Sequence, residues 1–117
     1  MGIRTAAAIA LAALLVGCAE PVPPAKTAYV GEWRSPQMLL VISRDGYVQY
    51  IRRGDHGRTS INAPIRRFDG DNFSVGVGFV STTFVVSRPP HRDGSAWKMT
   101  VDGVELVRQA GPGDTYA

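Results

Sequence analysis

The chain has 117 residues, a formal charge of +3 and one cysteine. This length holds one small domain, and the charge is too mild to argue for a nucleic-acid partner. A single cysteine excludes an intrachain disulfide and a Cys-based metal site.

The first five residues carry one base, Arg4, and no acid, and Ala6 to Val16 has no polar side chain. A basic start, a short apolar run and small residues after it predict a secretory signal over residues 1–17, cut between Gly17 and Cys18. The run of 11 residues, 6 to 16, falls short of the roughly 17–25 that a spanning helix needs. Leu15-Val16-Gly17-Cys18 resembles the bacterial lipobox. That resemblance implies diacylation of the Cys18 thiol and a mature chain held to a membrane. A thiolate is the nucleophile suited to such a thioether, and two or more acyl chains make a stable anchor at about 0.8 kcal/mol per buried CH₂. Ala19, with no Asp after the Cys, resembles outer-membrane lipoproteins. The expected address is therefore the bacterial envelope, lipid-anchored in the outer membrane and facing the periplasm.

Residues 18–28 follow the cut. Glu20-Pro-Val-Pro-Pro-Ala-Lys-Thr27 is Pro-rich and aperiodic, and predicts a semi-extended tether holding the domain off the bilayer. The folded domain is expected over residues 29–108. A Gly/Pro-rich tail over 109–117 is expected to fray.

Four Asp-Gly pairs, at 45–46, 69–70, 93–94 and 102–103, divide this domain. Both residue types tolerate the positive φ of tight turns. The runs between them are rich in Val, Ile, Phe, Tyr and Thr, which favour strands. The pattern predicts about seven strands: residues 38–43, 47–53, 59–68, 72–77, 81–87, 96–101 and 104–108. Pro64 marks an edge or a bulge and Pro89-Pro90 ends the fifth strand. Alternation places Phe73, Val75, Val77 and Phe79 on one face, and Trp97, Met99 and Val101 on another. The strand Met38–Ser43 is apolar on both faces, so it is expected to be central or covered. An open sheet of this size exposes a face and two edges. The expected fold class is thus an all-β antiparallel meander, curled into a barrel or sandwich.

Gly31-Glu-Trp33 opens the domain and Arg108 ends its last strand. This resembles the lipocalins and their calycin relatives, which carry a Gly-x-Trp near the first strand and an Arg near the barrel's end. The resemblance implies a cation–π pair of Trp33 and Arg108 closing the barrel base. Asn62-Ala-Pro-Ile65, Ser81-Thr-Thr-Phe84 and Trp97-Lys-Met-Thr-Val-Asp-Gly-Val-Glu-Leu106 resemble small Gram-negative lipoproteins, which supports the address and the fold.

The residues offer little catalytic chemistry. His56 and His91 fall on turn-like segments, too few for the three or four converging ligands of a metal site. Ser81-Thr82-Thr83 and Ser35 lack a nucleophile-elbow context. No enzyme activity, metal or cofactor is expected. Arg52, Arg53, Arg58, Arg66 and Arg67 gather around one hairpin with Asp55 as the sole acid between 52 and 67. Arginines bind phosphates and carboxylates, so this cluster is the candidate contact for an anion, an envelope protein or peptidoglycan; as a bland alternative it is a solvated edge that blocks aggregation. Trp33, Phe68, Phe73, Phe79, Phe84 and Trp97 are expected to fill so small a barrel. The leading expectation is a non-enzymatic binding or envelope-structural module. The alternatives are a small calycin-like carrier of an apolar ligand, which needs a cavity, and an inhibitor presenting a loop such as Pro89–Ser95 to a periplasmic hydrolase.

Overall fold

The four Asp-Gly pairs each close a hairpin. At the last of them Asp102 has φ 48° and Gly103 φ 79°, the two successive positive values of a tight hairpin turn. The computed structural model describes residues 19–110. Within them lie a 3-10 helix, Pro24–Tyr29, and nine strands: β1 Gly31–Arg34, β2 Met38–Ile42, β3 Tyr47–Gly54, β4 Gly57–Asp69, β5 Asn72–Val77, β6 Val80–Phe84, β7 Val86–Asp93, β8 Ala96–Val101 and β9 Val104–Arg108. The expected signal, Gly17 and Cys18 fall outside the described residues, as does the tail from residue 111.

All neighbours are antiparallel, in the order β6-β5-β4-β3-β2-β1-β9-β8-β7. This is an all-β meander curled into a half-barrel. The twice-apolar β2 is the middle strand of the nine, as its pattern requires. Its Met38, Leu40 and Ile42 are buried on the concave side, while Leu39 and Val41 stay half-buried on the convex side. Pro64 sits where it costs no ladder bond. It pairs with Tyr47 at the end of β3, and the register with β5 shifts just beyond it, between Ile65 and Arg67.

The strand count exceeds the expected seven by two. β1 is only four residues long. β7 carries Pro89-Pro90 inside a strand, not at its end, and two register shifts accompany them. β7 is a sheet edge, where a missing N–H removes nothing from the ladder. His91 and the segment beginning at Pro89 therefore belong to a strand, with only Gly94-Ser95 turning. The chain passes from β6 into β7 at Val85, and side chains pin that junction. Asn72 Oδ1 accepts from the Val86 amide at 2.7 Å. Asp102 Oδ1 accepts from the Val85 amide at 2.9 Å.

Rings and branched side chains fill the concave side. Trp33, Phe73, Phe84, Leu40, Met99 and Leu106 are fully buried. Phe73 stacks on Phe84 at 5.1 Å, and Tyr50 meets Phe84 edge-on at 4.9 Å, spacings at which aromatic pairs attract. Phe68 and Trp97 pack partly buried against this core.

Phe79 is a correction to the expected core: it is 100% exposed. The chain reverses at Gly78, φ 61°, so the alternation that buries Phe73 and Val75 stops before it. Val77 keeps the inward parity but is also exposed, because β4 and β5 pair only from Ile65↔Val75 onward and nothing covers it.

The segment expected as an extended tether is docked on the sheet. The Val22 amide donates to the Arg44 carbonyl at 3.1 Å, and Val22 packs against the core. Lys26 Nζ donates to the Gly70 carbonyl at 2.6 Å and lies over the rings of Tyr29 and Phe68. Tyr29 is buried, with its hydroxyl on the Asp71 carbonyl at 2.8 Å. Its own carbonyl accepts from Trp33 Nε1 at 2.9 Å, which satisfies the donor of the most buried ring. Prolines do not hold this stretch off the domain. They fit the start of the 3-10 helix, where an N–H is not needed.

Candidate anion-binding groove

The five arginines expected as one cluster separate in the fold. The reason is the two-residue loop Asp55-His56, which sets Gly54 opposite Gly57, Arg53 opposite Arg58 and Arg52 opposite Thr59. Alternation then sends Arg52 to the concave side with Val48 and Tyr50, next to Met38. Arg53 and Arg58 go to the convex side. Arg66 and Arg67 lie at the β4 bulge, eight residues beyond Arg58, or roughly 26 Å along a strand.

Arg53 and Arg58 gain a third partner that the sequence reading left out. In the continuous row Arg34↔Leu39↔Ile51↔Ser60, β1 brings Arg34 to the same convex face. Arg34, Arg53 and Arg58 line a groove of about 280 Å³ with the Ser35–Gln37 turn, over Leu39 and Ile51. The Arg53 amide donates to the Gln37 carbonyl at 2.9 Å, fixing the hairpin against that turn. Arg34 is tied to Glu32, Nε to Oε2 at 2.6 Å. Arg53 and Arg58 have no carboxylate within ion-pair distance among the described residues. Like charges directly opposite on a sheet destabilise it. An anion between two guanidinium forks reverses that sign, and paired N–H donors match a carboxylate or a phosphate.

Arg66 does different work. Its guanidinium bonds the Gly78 carbonyl at the tip of the β5–β6 hairpin. With Arg67 it lines a second groove, of about 420 Å³, that also contains Asp69, Asn72 and Ser74.

The remaining candidates are placed as follows. Trp33 and Arg108 are register partners between β1 and β9, but the guanidinium of Arg108 lies over Trp97, 5.3 Å from its ring centroid. The cation–π partner is thus Trp97, not Trp33. Continuing the β8–β9 register past Lys98↔Val107 sets Trp97 directly across from Arg108, so Arg108 lies between the two tryptophans. Gly31 makes room for it. A Cβ at Gly31 would meet Arg108 Cδ at 2.9 Å and Cγ at 3.2 Å. Gly31, Trp33, Arg108 and Trp97 therefore form one unit at the end of the half-barrel. His56 occupies the β3–β4 loop, and His91 Nδ1 lies 2.9 Å from the Pro89 carbonyl. Among the described residues no three His, Cys, Asp or Glu side chains are placed to hold a metal. Ser81, Thr82 and Thr83 are part of the edge strand β6.

Lys98 joins Asp93 at 3.0 Å and Glu105 at 3.7 Å on the β7–β8–β9 surface. The hydrogen bond to Lys98, and then its charge, hold the Asp93 carboxyl below its usual range.

Comparison with family models, with curated proteins and with solved structures finds no match to this chain. The class that can be stated is the one the fold defines, an all-β antiparallel half-barrel.

Proposed function

We propose that the chain is a lipid-anchored, non-enzymatic binding module of the bacterial envelope, held through Cys18 in the outer membrane and facing the periplasm. Its contact surface is the groove of Arg34, Arg53 and Arg58, and its partner presents carboxylates or phosphates, as peptidoglycan does. The observation that carries this reading is the facing pair Arg53 and Arg58 without a carboxylate partner among the described residues, above an apolar floor of Leu39 and Ile51. The filled concave side supports a surface binder over a carrier of an apolar ligand, since a carrier requires an enclosed space lined by such rings. The strand geometry of Val86–Asp93 weakens the case for an inhibitory loop there.

Sedimentation with purified peptidoglycan sacculi tests the reading. The chain is expected to co-sediment in a salt-dependent manner. The double variant Arg53→Ala/Arg58→Ala is expected to lose at least about tenfold in affinity, roughly 1.4 kcal/mol. Equal sedimentation of parent and variant would remove the groove from the account.

A further inference from the structure

The β5–β6 hairpin ends in an apolar tip. Phe79 is 100% exposed, Val80 68% and Val77 63%. The tip is a tight two-residue loop, Gly78-Phe79, and the Gly78 carbonyl is occupied by the Arg66 guanidinium. A backbone carbonyl that enters the hydrocarbon region must carry its partner with it, and Arg66 supplies one to Gly78. A cationic group beside an exposed aromatic ring is also the composition that seats a segment at headgroup level.

The docked N-terminal segment says where a bilayer would lie. The Glu20 backbone lies against Gly46 at the β2–β3 turn. Only Ala19 lies between it and Cys18, two residue steps or at most about 7 Å of chain. Glu20, Pro21 and Val22 share a groove with Arg66 and Arg67, and the same Arg66 reaches Gly78. One arginine side chain therefore links the point where the anchor leaves the fold to the apolar tip.

We propose that the Val77–Val80 tip docks into the phospholipid leaflet that receives the Cys18 acyl chains, with Arg66 and Arg67 at headgroup level. The inference rests on the anchor reading of Cys18. It replaces a domain hanging on a tether with one seated directly on the membrane. It also sets two distances. The β3–β4 and β5–β6 loops turn at the same end of the sheet, but Val77 lies only two residues along β5 from the Ile65↔Val75 pair, roughly 7 Å. The loop at Asp55-His56 lies eight residues along β4 from Ile65, whose amide bonds the Gly46 carbonyl, so it stands roughly 26 Å from the anchored end.

Tryptophan at position 79 reads the docking. The full chain carrying Phe79→Trp is reconstituted in phosphatidylethanolamine/phosphatidylglycerol vesicles, with the parent chain as the Trp33 and Trp97 baseline. The added fluorescence is expected to shift to the blue and to be quenched by phospholipid brominated near the glycerol end of its acyl chains. His56→Trp is expected to stay water-like and open to acrylamide. A water-like, acrylamide-quenched signal at 79, or lipid quenching at both 79 and 56, overturns the proposal. Mass analysis of the processed chain reads acylation of Cys18 separately. A bare Cys18 sinks the anchor reading, while the signal at 79 still decides whether the tip meets lipid. Equal urea midpoints of variants and parent confirm that the fold is unchanged.

Discussion

Gly31→Ala probes the unit that closes the half-barrel. Gly31 has φ 144°, a region that costs a side-chain-bearing residue about 1–3 kcal/mol. The added Cβ would also stand 2.9 Å from Arg108 Cδ, in the middle of the side chain and not at its mobile end. Arg108 must therefore move, and the guanidinium leaves its place over Trp97, a contact worth about 0.5–1 kcal/mol at a partly exposed site. The expected loss is about 1.5–4 kcal/mol, read by urea unfolding followed through tryptophan fluorescence, with the slope unchanged. Arg108→Ala alone is expected to cost only the stacking contribution. In the double variant Gly31→Ala/Arg108→Ala the clash is gone and the backbone strain remains, so the two effects are not additive. A loss for Gly31→Ala under about 0.5 kcal/mol, within the range of an ordinary surface substitution, would show that the space at Gly31 does not hold Arg108 in place.

Burial, and secondarily the Asp71 charge, push the Tyr29 phenol from 10.0 up to about 12. The folded state thus favours the neutral phenol, and this contribution is complete below pH 10 and lost as pH rises toward 12. Tyr29→Phe is expected to cost about 1 kcal/mol at neutral pH and to flatten the alkaline fall in urea midpoint; an unchanged alkaline profile would contradict the assignment. Asn72→Ala leaves the Val86 amide without its acceptor and is expected to cost about 1–3 kcal/mol, with faster hydrogen exchange at Val85 and Val86 as its signature. Cys18→Ser is expected to leave the urea midpoint unchanged and to abolish incorporation of labelled fatty acid. Absence of label in the parent chain would contradict the lipobox reading.

Local chemistry made much of the sheet legible. Strands β5, β8 and β9 fall on the expected residues, because an Asp-Gly turn precedes each of them. What escaped was decided by distant partners. Pro89-Pro90 reads as a stop until β7 is known to be an edge. Four residues of β1 carry too little pattern to register without β2 and β9 on either side. The docking of Val22 and Tyr29 depends on Arg44 and Asp71, far along the chain. The arginine cluster shows the same limit in the site. Composition found the charges, but the two-residue loop decided that Arg52 parts from Arg53 and Arg58, and β1 supplied Arg34. Phe79 was misplaced because alternation was carried through a glycine turn.

The first strand of this sheet lies beside the last, with Trp33 opposite Arg108 and Arg34 opposite Val107. Hairpins elsewhere in the meander form from neighbouring segments, but this seam joins residues about 75 positions apart and is slow by topology. Until β9 arrives, β1 and β8 are both unpaired edges, and the end unit of Gly31, Trp33 and Trp97 lacks its central side chain. The seam of the half-barrel and its end unit therefore stay open until β9 is available. For a protein proposed to cross a membrane before folding, that dependence leaves the end unit unformed until the strand following β8 has emerged.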